Sequence, residues 1–214
     1  MQDVSNSTTE NSKVKAPHQT LTPSANNPAQ STVLLDPLSK TLADFQLTSD
    51  PNYHTITPAG GTAHQSDFAS FLSTGSDGKS YLQPGIYYVN GSINFALGLS
   101  KTNASSVTFV ATGSIAISSP TMNFTPYSQG VVFFANLGNG TPTTTTGFNI
   151  SGSDGSWSGI AYVPWSNAQV SGSGNTTIAG SVVADTIHVS GSNAHLTASA
   201  GFFPQPQAEI VLYE

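Results

Sequence analysis

The sequence predicts an all-β chain wound as a single-stranded parallel β-helix. We read it as a right-handed solenoid with a short helix near its N-terminal end and a flexible N-terminal extension. Three observations predict this. Between Thr102 and Ala208 only Asp154 and Asp185 carry charge. Short β-branched and aromatic runs recur in the second half of the chain: Ile86-Tyr-Tyr-Val89, Val107-Thr-Phe-Val110, Val131-Val-Phe-Phe134, Ile160-Ala-Tyr-Val163 and Ser181-Val-Val-Ala184. Their starts lie 21, 24, 29 and 21 residues apart. A second series follows the first: Ser92-Ile-Asn-Phe95, Ser114-Ile-Ala-Ile117, Phe148-Asn-Ile150, Ala168-Gln-Val170 and Ile187-His-Val189. Its last three members run into Ser-Gly-Ser at 151–153, 171–173 and 190–192, copies 20 and 19 residues apart.

A period near 20 with two or three short strands per repeat is a solenoid signature. Helical repeats need a 3.6-residue period and few Gly or β-branched residues, and this chain shows the reverse. Leucine-rich repeats need Leu at fixed offsets, and the second half has hardly any. One coil cannot bury its apolar side alone, whereas stacked coils bury columns of Val, Ile, Phe and Tyr. Gly and Asn tolerate the backbone that tight corners require. Low charge fits as well, because like charges stacked at about 4.8 Å repel one another. A β-sandwich or jelly roll also gives many short strands, but not Ser-Gly-Ser at a repeated offset from a strand.

The elements follow in order. Residues 1–30 are Ser, Thr, Asn, Pro and Gln with almost no bulky apolar side chain, so they are expected to form a disordered stalk or linker. Residues 31–80 are expected to be a capping or strand-donating segment. Within it, Val33 to Leu47 suggests a short strand and a helical turn packed on the main body. Asp67-Phe-Ala-Ser-Phe-Leu72 is the helix candidate, with Phe68, Phe71 and Leu72 on one face. Residues 81–214 form the expected β-helix domain. Asn90-Gly-Ser92 and Thr112-Gly-Ser114 look like its first corners, and Ala208–Tyr213 makes a last strand that could cap an open end or pair with a neighbour.

Leu82-Gln-Pro-Gly-Ile-Tyr-Tyr-Val-Asn-Gly-Ser-Ile93, Val107–Ile117, Trp157-Ser-Gly-Ile-Ala-Tyr-Val-Pro164, Val170-Ser-Gly-Ser173 and Gly180-Ser-Val-Val-Ala184 together resemble the C-terminal β-helical region of TadG-like proteins. Those proteins are associated with tight-adherence (Flp-type) pilus assembly and with bacterial surfaces. The resemblance covers roughly residues 81–200. It implies an extracytoplasmic, membrane-anchored or pilus-associated protein with no enzyme activity. The chain departs from that family's pattern in lacking an N-terminal transmembrane helix.

Composition narrows the function. The 214 residues hold five Lys, no Arg and eleven acids, a formal charge of −6. So few cations cannot neutralise a phosphate backbone or an anionic bilayer, which excludes nucleic acid and polybasic membrane binding. No run reaches the roughly 20 apolar residues of a membrane span, so no membrane insertion is expected. The absence of Cys removes disulfides, thiolate metal sites and Cys nucleophiles. Low charge with abundant Thr, Ser, Asn and Gly points to an extracellular or cell-surface location, an export segment having been removed.

Catalytic groups are sparse. Glycoside hydrolysis needs two carboxylates at a set separation, and a lyase needs clustered acids and a base. The solenoid offers Asp154 and Asp185 on different coils and no cation beyond Lys101, so the chain is read as not an enzyme and as having no cofactor. His188 and His195, seven apart, would share a metal only from neighbouring strands, and lone exposed histidines are the better reading; no metal site is assigned. Regular Thr-x-Thr pairs, which an ice-binding face requires, show no coil period. The glycosylation triplets at Asn6, Asn90, Asn103, Asn123, Asn139, Asn149 and Asn175 are what a Ser/Thr-rich chain yields by chance.

The expected function is thus a non-enzymatic structural or adhesion module of the cell surface or of pili. A filament subunit that self-associates through solenoid ends or donated strands is a related form. The alternative is a carbohydrate-binding module whose candidate glycan-stacking residues are Trp157, Tyr162 and Trp165.

Overall fold

The computed structural model describes residues 40–76, 78, 80–95, 102–118, 122–152, 156–172, 176–191 and 194–197. The expected stalk and the Ala208–Tyr213 strand lie outside these residues. The described chain is mostly strand, and twelve strands join one large parallel sheet, an arrangement consistent with a parallel solenoid.

The strands recur on three walls. The first wall stacks β1 (Tyr53–Ile56) under the later β5 (Gly85–Val89), and the second stacks β2 (Thr62–Ala63) under β6 (Ser92–Phe95). Between these two coils the chain makes a 3-10 helix, Gln65–Phe71, and an antiparallel hairpin of β3 (Leu72–Thr74) and β4 (Ser80–Leu82). Next come β7 (Thr102–Ala111), β8 (Ile115–Ile117) and β9 (Met122–Thr125), then β10 (Val131–Ala135) and β11 (Thr146–Gly152). Two long strands, β12 (Ser156–Gly172) and β13 (Thr176–Gly191), run round corners to serve all three walls, and β14 (Ala194–Thr197) ends the third.

Every strand pairing in this sheet is parallel, and the register explains the sequence period. On the first wall Tyr87, Phe109, Phe133, Ala161 and Val182 stand above one another. On the second, Ala63, Ile93, Ile115, Phe148, Ala168 and Ile187 do so. On the third, Phe124 aligns with Trp157, and the backbone continues through Ile178 to Leu196. The Ser-Gly corners stack too: Ser151 on Ser171 on Ser190, and Gly152 on Gly172 on Gly191. A different corner, between the first and second walls, stacks in a similar way, so Asn90-Gly-Ser92 and Thr112-Gly-Ser114 are not earlier copies of the Ser-Gly-Ser corner. Gly113 N–H donates to Gly91 O at 2.9 Å, and Ser114 N–H donates to Ser92 Oγ at 3.1 Å.

The core is a ladder of aromatic rings. Tyr87, Phe109 and Phe133 follow at 5.7 and 5.9 Å, the second pair stacked with ring planes nearly parallel at 9°. Phe133 also meets Phe148 at 5.3 Å and Trp157 at 5.4 Å. Size is balanced between coils: the coil with Phe133, Phe148 and Trp157 is followed by one with Ala161 and Ala168, which keeps the interior dense. Phe68 of the 3-10 helix enters at the N-terminal end against Phe95 at 4.9 Å and Tyr87 at 5.7 Å.

Three features differ from the sequence expectation. The coil begins before residue 81, because β1 and β2 already pair in register with β5 and β6. An insertion of helix and hairpin stretches that first repeat to 33 residues (Tyr53 to Ile86) and hides it. The helix candidate is a 3-10 helix with the expected Phe68 buried. The helical turn expected before Leu47 is present and packs on the main body, but along its flank rather than over an end, and the strand expected ahead of it lies outside the described residues. This 3-10 turn, Leu42–Phe45, lies along the outer side of the first wall. There Phe45 is fully buried against Phe134, ring centroids 5.0 Å apart, and Gln46 Nε2 donates to Tyr88 Oη at 3.0 Å.

This strap has a physical cause. Alternate first-wall residues point outward, and Ile86, Tyr88, Val110, Phe134, Ile160 and Tyr162 make a second apolar cluster outside the coil. An apolar face of that size needs a cover, and Phe45 and Leu42 provide one.

Candidate functional site

The three candidate stacking residues are not brought together. Trp157 faces inward on the third wall and is 2% exposed, within the main core. Tyr162 faces outward but lies under the strap, 1% exposed, against Phe134 at 5.5 Å. Neither ring can offer a face to a sugar. The three-ring platform of the alternative reading is therefore not assembled: two of its rings are packed in the interior, as core or loop residues would be. Strand alternation carries Ala161 and Val163 into the core, so Ile160 and Tyr162 go to the other side. Only Trp165 remains half-buried. It sits at the corner of β12 where the register shifts between Val163 and Asn167.

The carboxylates serve local turns. Asp44 Oδ2 accepts from Thr41 N–H at 2.7 Å and from Thr41 Oγ at 2.9 Å, and these bonds hold its pKa below the ordinary aspartate value. Asp67 Oδ2 accepts from His64 N–H at 2.7 Å. Asp50 Oδ1 accepts from Asn52 N–H at 2.8 Å and from Tyr127 Oη at 3.2 Å, tying the entry to β1 to the outer wall. Asp185 stands at a corner of β13. Asp154 and Lys101 lie outside the described residues, so the acid pair weighed from sequence is not assembled among those described.

The histidines are likewise separate. His188 is exposed on the second wall, opposite Gln169, whereas the His195 backbone belongs to the third wall, opposite Thr177. No group of three or more His, Cys, Asp or Glu residues that could hold a metal occurs among the described residues. His54 carries no motif that marks it in the sequence. Its ring is wedged 4.4 Å from Phe71 and 5.0 Å from Tyr87, its Nε2 is buried without a hydrogen bond, and burial pushes its pKa down. This joins the first coil to the helix and hairpin beneath the third wall.

The last coil has a different character. On the first and second walls β13 pairs with β12 along one edge, and no described strand pairs with its other edge. Val189 there is 48% exposed.

The chain matches no protein-family model, no curated protein and no solved structure. No helix among the described residues is long and apolar enough to cross a membrane.

Proposed function

We propose that the chain is a non-enzymatic structural and adhesion module of the cell surface, built as a single-stranded β-helix. We take the coil as right-handed, the hand that β-crossover connections within one sheet adopt almost without exception. Association with tight-adherence pili is part of this proposal and rests on the sequence resemblance alone. The described carboxylates support a non-catalytic role, because Asp44, Asp50 and Asp67 are engaged by the turns they stabilise.

The observation that carries the reading is the last coil. Among the described residues the outer edge of β13 on the first and second walls has no strand partner, and an unpaired edge is a template for another strand, either covered or used. The proposal is that a second copy, or a pilus or surface component, pairs there. Electron microscopy and light scattering of the purified full chain over a concentration series test this. End-to-end rods or filaments support the subunit form, and a monodisperse monomer at every concentration removes it. Labelling of intact cells with an antibody to the solenoid tests display, and signal only after lysis would refute a surface role.

A further inference from the structure

The corner that carries Trp165 is built differently from its neighbours. The first-to-second-wall corner takes three residues in the coil below, Thr112–Ser114, between β7 and β8. In the coil of β10 and β11 it takes ten, 136–145. The surplus forms a wall beside the Trp165 ring. Thr143 N–H donates to Trp165 O at 2.8 Å, and Asn167 Nδ2 donates to Thr144 O at 2.6 Å, which locks the loop to the next corner.

The tip of the loop is tightly turned and closely fitted. Gly138, Asn139 and Gly140 all have positive φ, at 98°, 44° and 91°. A Cβ at Gly138 would stand 2.9 Å from Trp165 Cβ and 2.5 Å from Thr141 O. Asn139 holds a left-handed backbone without being glycine, and strain of this kind collects at binding sites. Its side-chain Oδ1 accepts from Asn136 Nδ2 at 3.0 Å, and Asn136 is 7% exposed.

The strap closes the opposite side. Lys40 and Leu42 line one flank of an open groove of about 290 Å³, Asn136, Asn139 and Gly140 the other, with Trp165 between them. That size is at the small end of small-molecule sites. The groove combines one aromatic ring, two side-chain amides and a single charge, Lys40. A pyranose fits this chemistry. Its C–H face is apolar and weakly electropositive and meets the electron-rich face of an aromatic ring, while its hydroxyls exchange hydrogen bonds with amides.

We propose that the groove between the strap and the 136–145 loop binds a neutral sugar unit of a glycan, stacked on Trp165 and held by the Asn136–Asn139 pair. This deepens the surface reading by naming a ligand class, and its test is separate, since the groove can fail while display and end-to-end assembly stand.

The test is a glycan array with the full chain, followed by calorimetric titration of each retained glycan. Trp165→Ala is expected to weaken binding at least about tenfold, as loss of a central aromatic contact does. Asn139→Gly accepts the left-handed backbone but removes the amide together with its hydrogen bond from Asn136, so its binding is read alongside its melt and compared with Asn139→Asp, which keeps an acceptor for Asn136. The Gly variant is expected to weaken binding about threefold or more, roughly one hydrogen bond, while remaining folded with a melt lowered by only a few degrees. This second variant keeps the proposal falsifiable if Trp165→Ala misfolds. No glycan retained by the parent chain, or parent-like affinity in Asn139→Gly and in a folded Trp165→Ala, overturns the site. Binding restricted to carboxylated sugars and abolished by moderate salt overturns the neutral class.

Discussion

Phe133 is where the coil-on-coil architecture can be tested most directly. Its ring is fully buried and meets rings of the coil before, Phe109 at 5.9 Å and Phe124 at 6.1 Å, and of its own coil, Phe148 at 5.3 Å and Trp157 at 5.4 Å. Truncation to Ala removes a buried aromatic ring and leaves a cavity that the surrounding rings cannot fill. Phe→Ala changes in cores cost about 3–5 kcal/mol. Four ring neighbours place this site toward the upper end, about 4–5 kcal/mol, since aromatic pairs add to burial. Phe133→Leu keeps most of the volume and should cost about 1–2 kcal/mol. Against the roughly 5–15 kcal/mol of a typical domain, the Ala variant should be marginal. The assay is urea unfolding followed by tryptophan fluorescence and circular dichroism. With a slope of about 2 kcal/mol per molar urea, the Ala variant's midpoint should fall by about 2 M at unchanged slope. A loss below about 1 kcal/mol would show that Phe133 does not face the interior. Because the outer face of this wall is buried as well, so small a loss would contradict a packed environment for Phe133 on either side and with it the stacked-coil architecture.

Two further outcomes follow from other sites. Gly180 stacks on Gly159, and a Cβ at 180 would collide with the Gly159 carbonyl, which is backbone and cannot swing aside; Gly180→Ala should therefore cost about 3 kcal/mol, and a thermal melt equal to the parent's would refute the close stacking. His54 has a folded pKa below its unfolded value of about 6.5, so the unfolded chain binds more protons between the two values. Its contribution is complete above that range and is lost as the pH falls through it. Urea midpoints measured from pH 7.5 to 5 should decline in the parent more than in His54→Phe, and parallel curves would show that His54 is not the titrating group.

The second half of the chain was legible because its repeats are short and uninterrupted. The 20- and 19-residue spacing of Ser-Gly-Ser translates directly into Ser151, Ser171 and Ser190 in one column. The first coil was hidden because a helix and a hairpin are inserted into it, and a lone β1 of four residues carries no period of its own. The Trp165 corner was half legible: the aromatic residue was singled out, but the ten-residue loop and the strap that flank it come from sequence positions about 25 and 125 residues away.

Composition and period by themselves determined that this chain is β-rich, coiled every twenty or so residues and nearly uncharged, because stacking imposes the same environment on every repeat. Only the tertiary structure decided which way each side chain turns. Alternation fixes that two neighbours face opposite sides, yet not which side is the interior. The first wall resolves it by burying both faces, one in the coil and one under Phe45. That is why Ile86-Tyr-Tyr-Val89 and Val131-Val-Phe-Phe134 are apolar at every position, and why Tyr162 is buried beneath the strap rather than offered to a ligand.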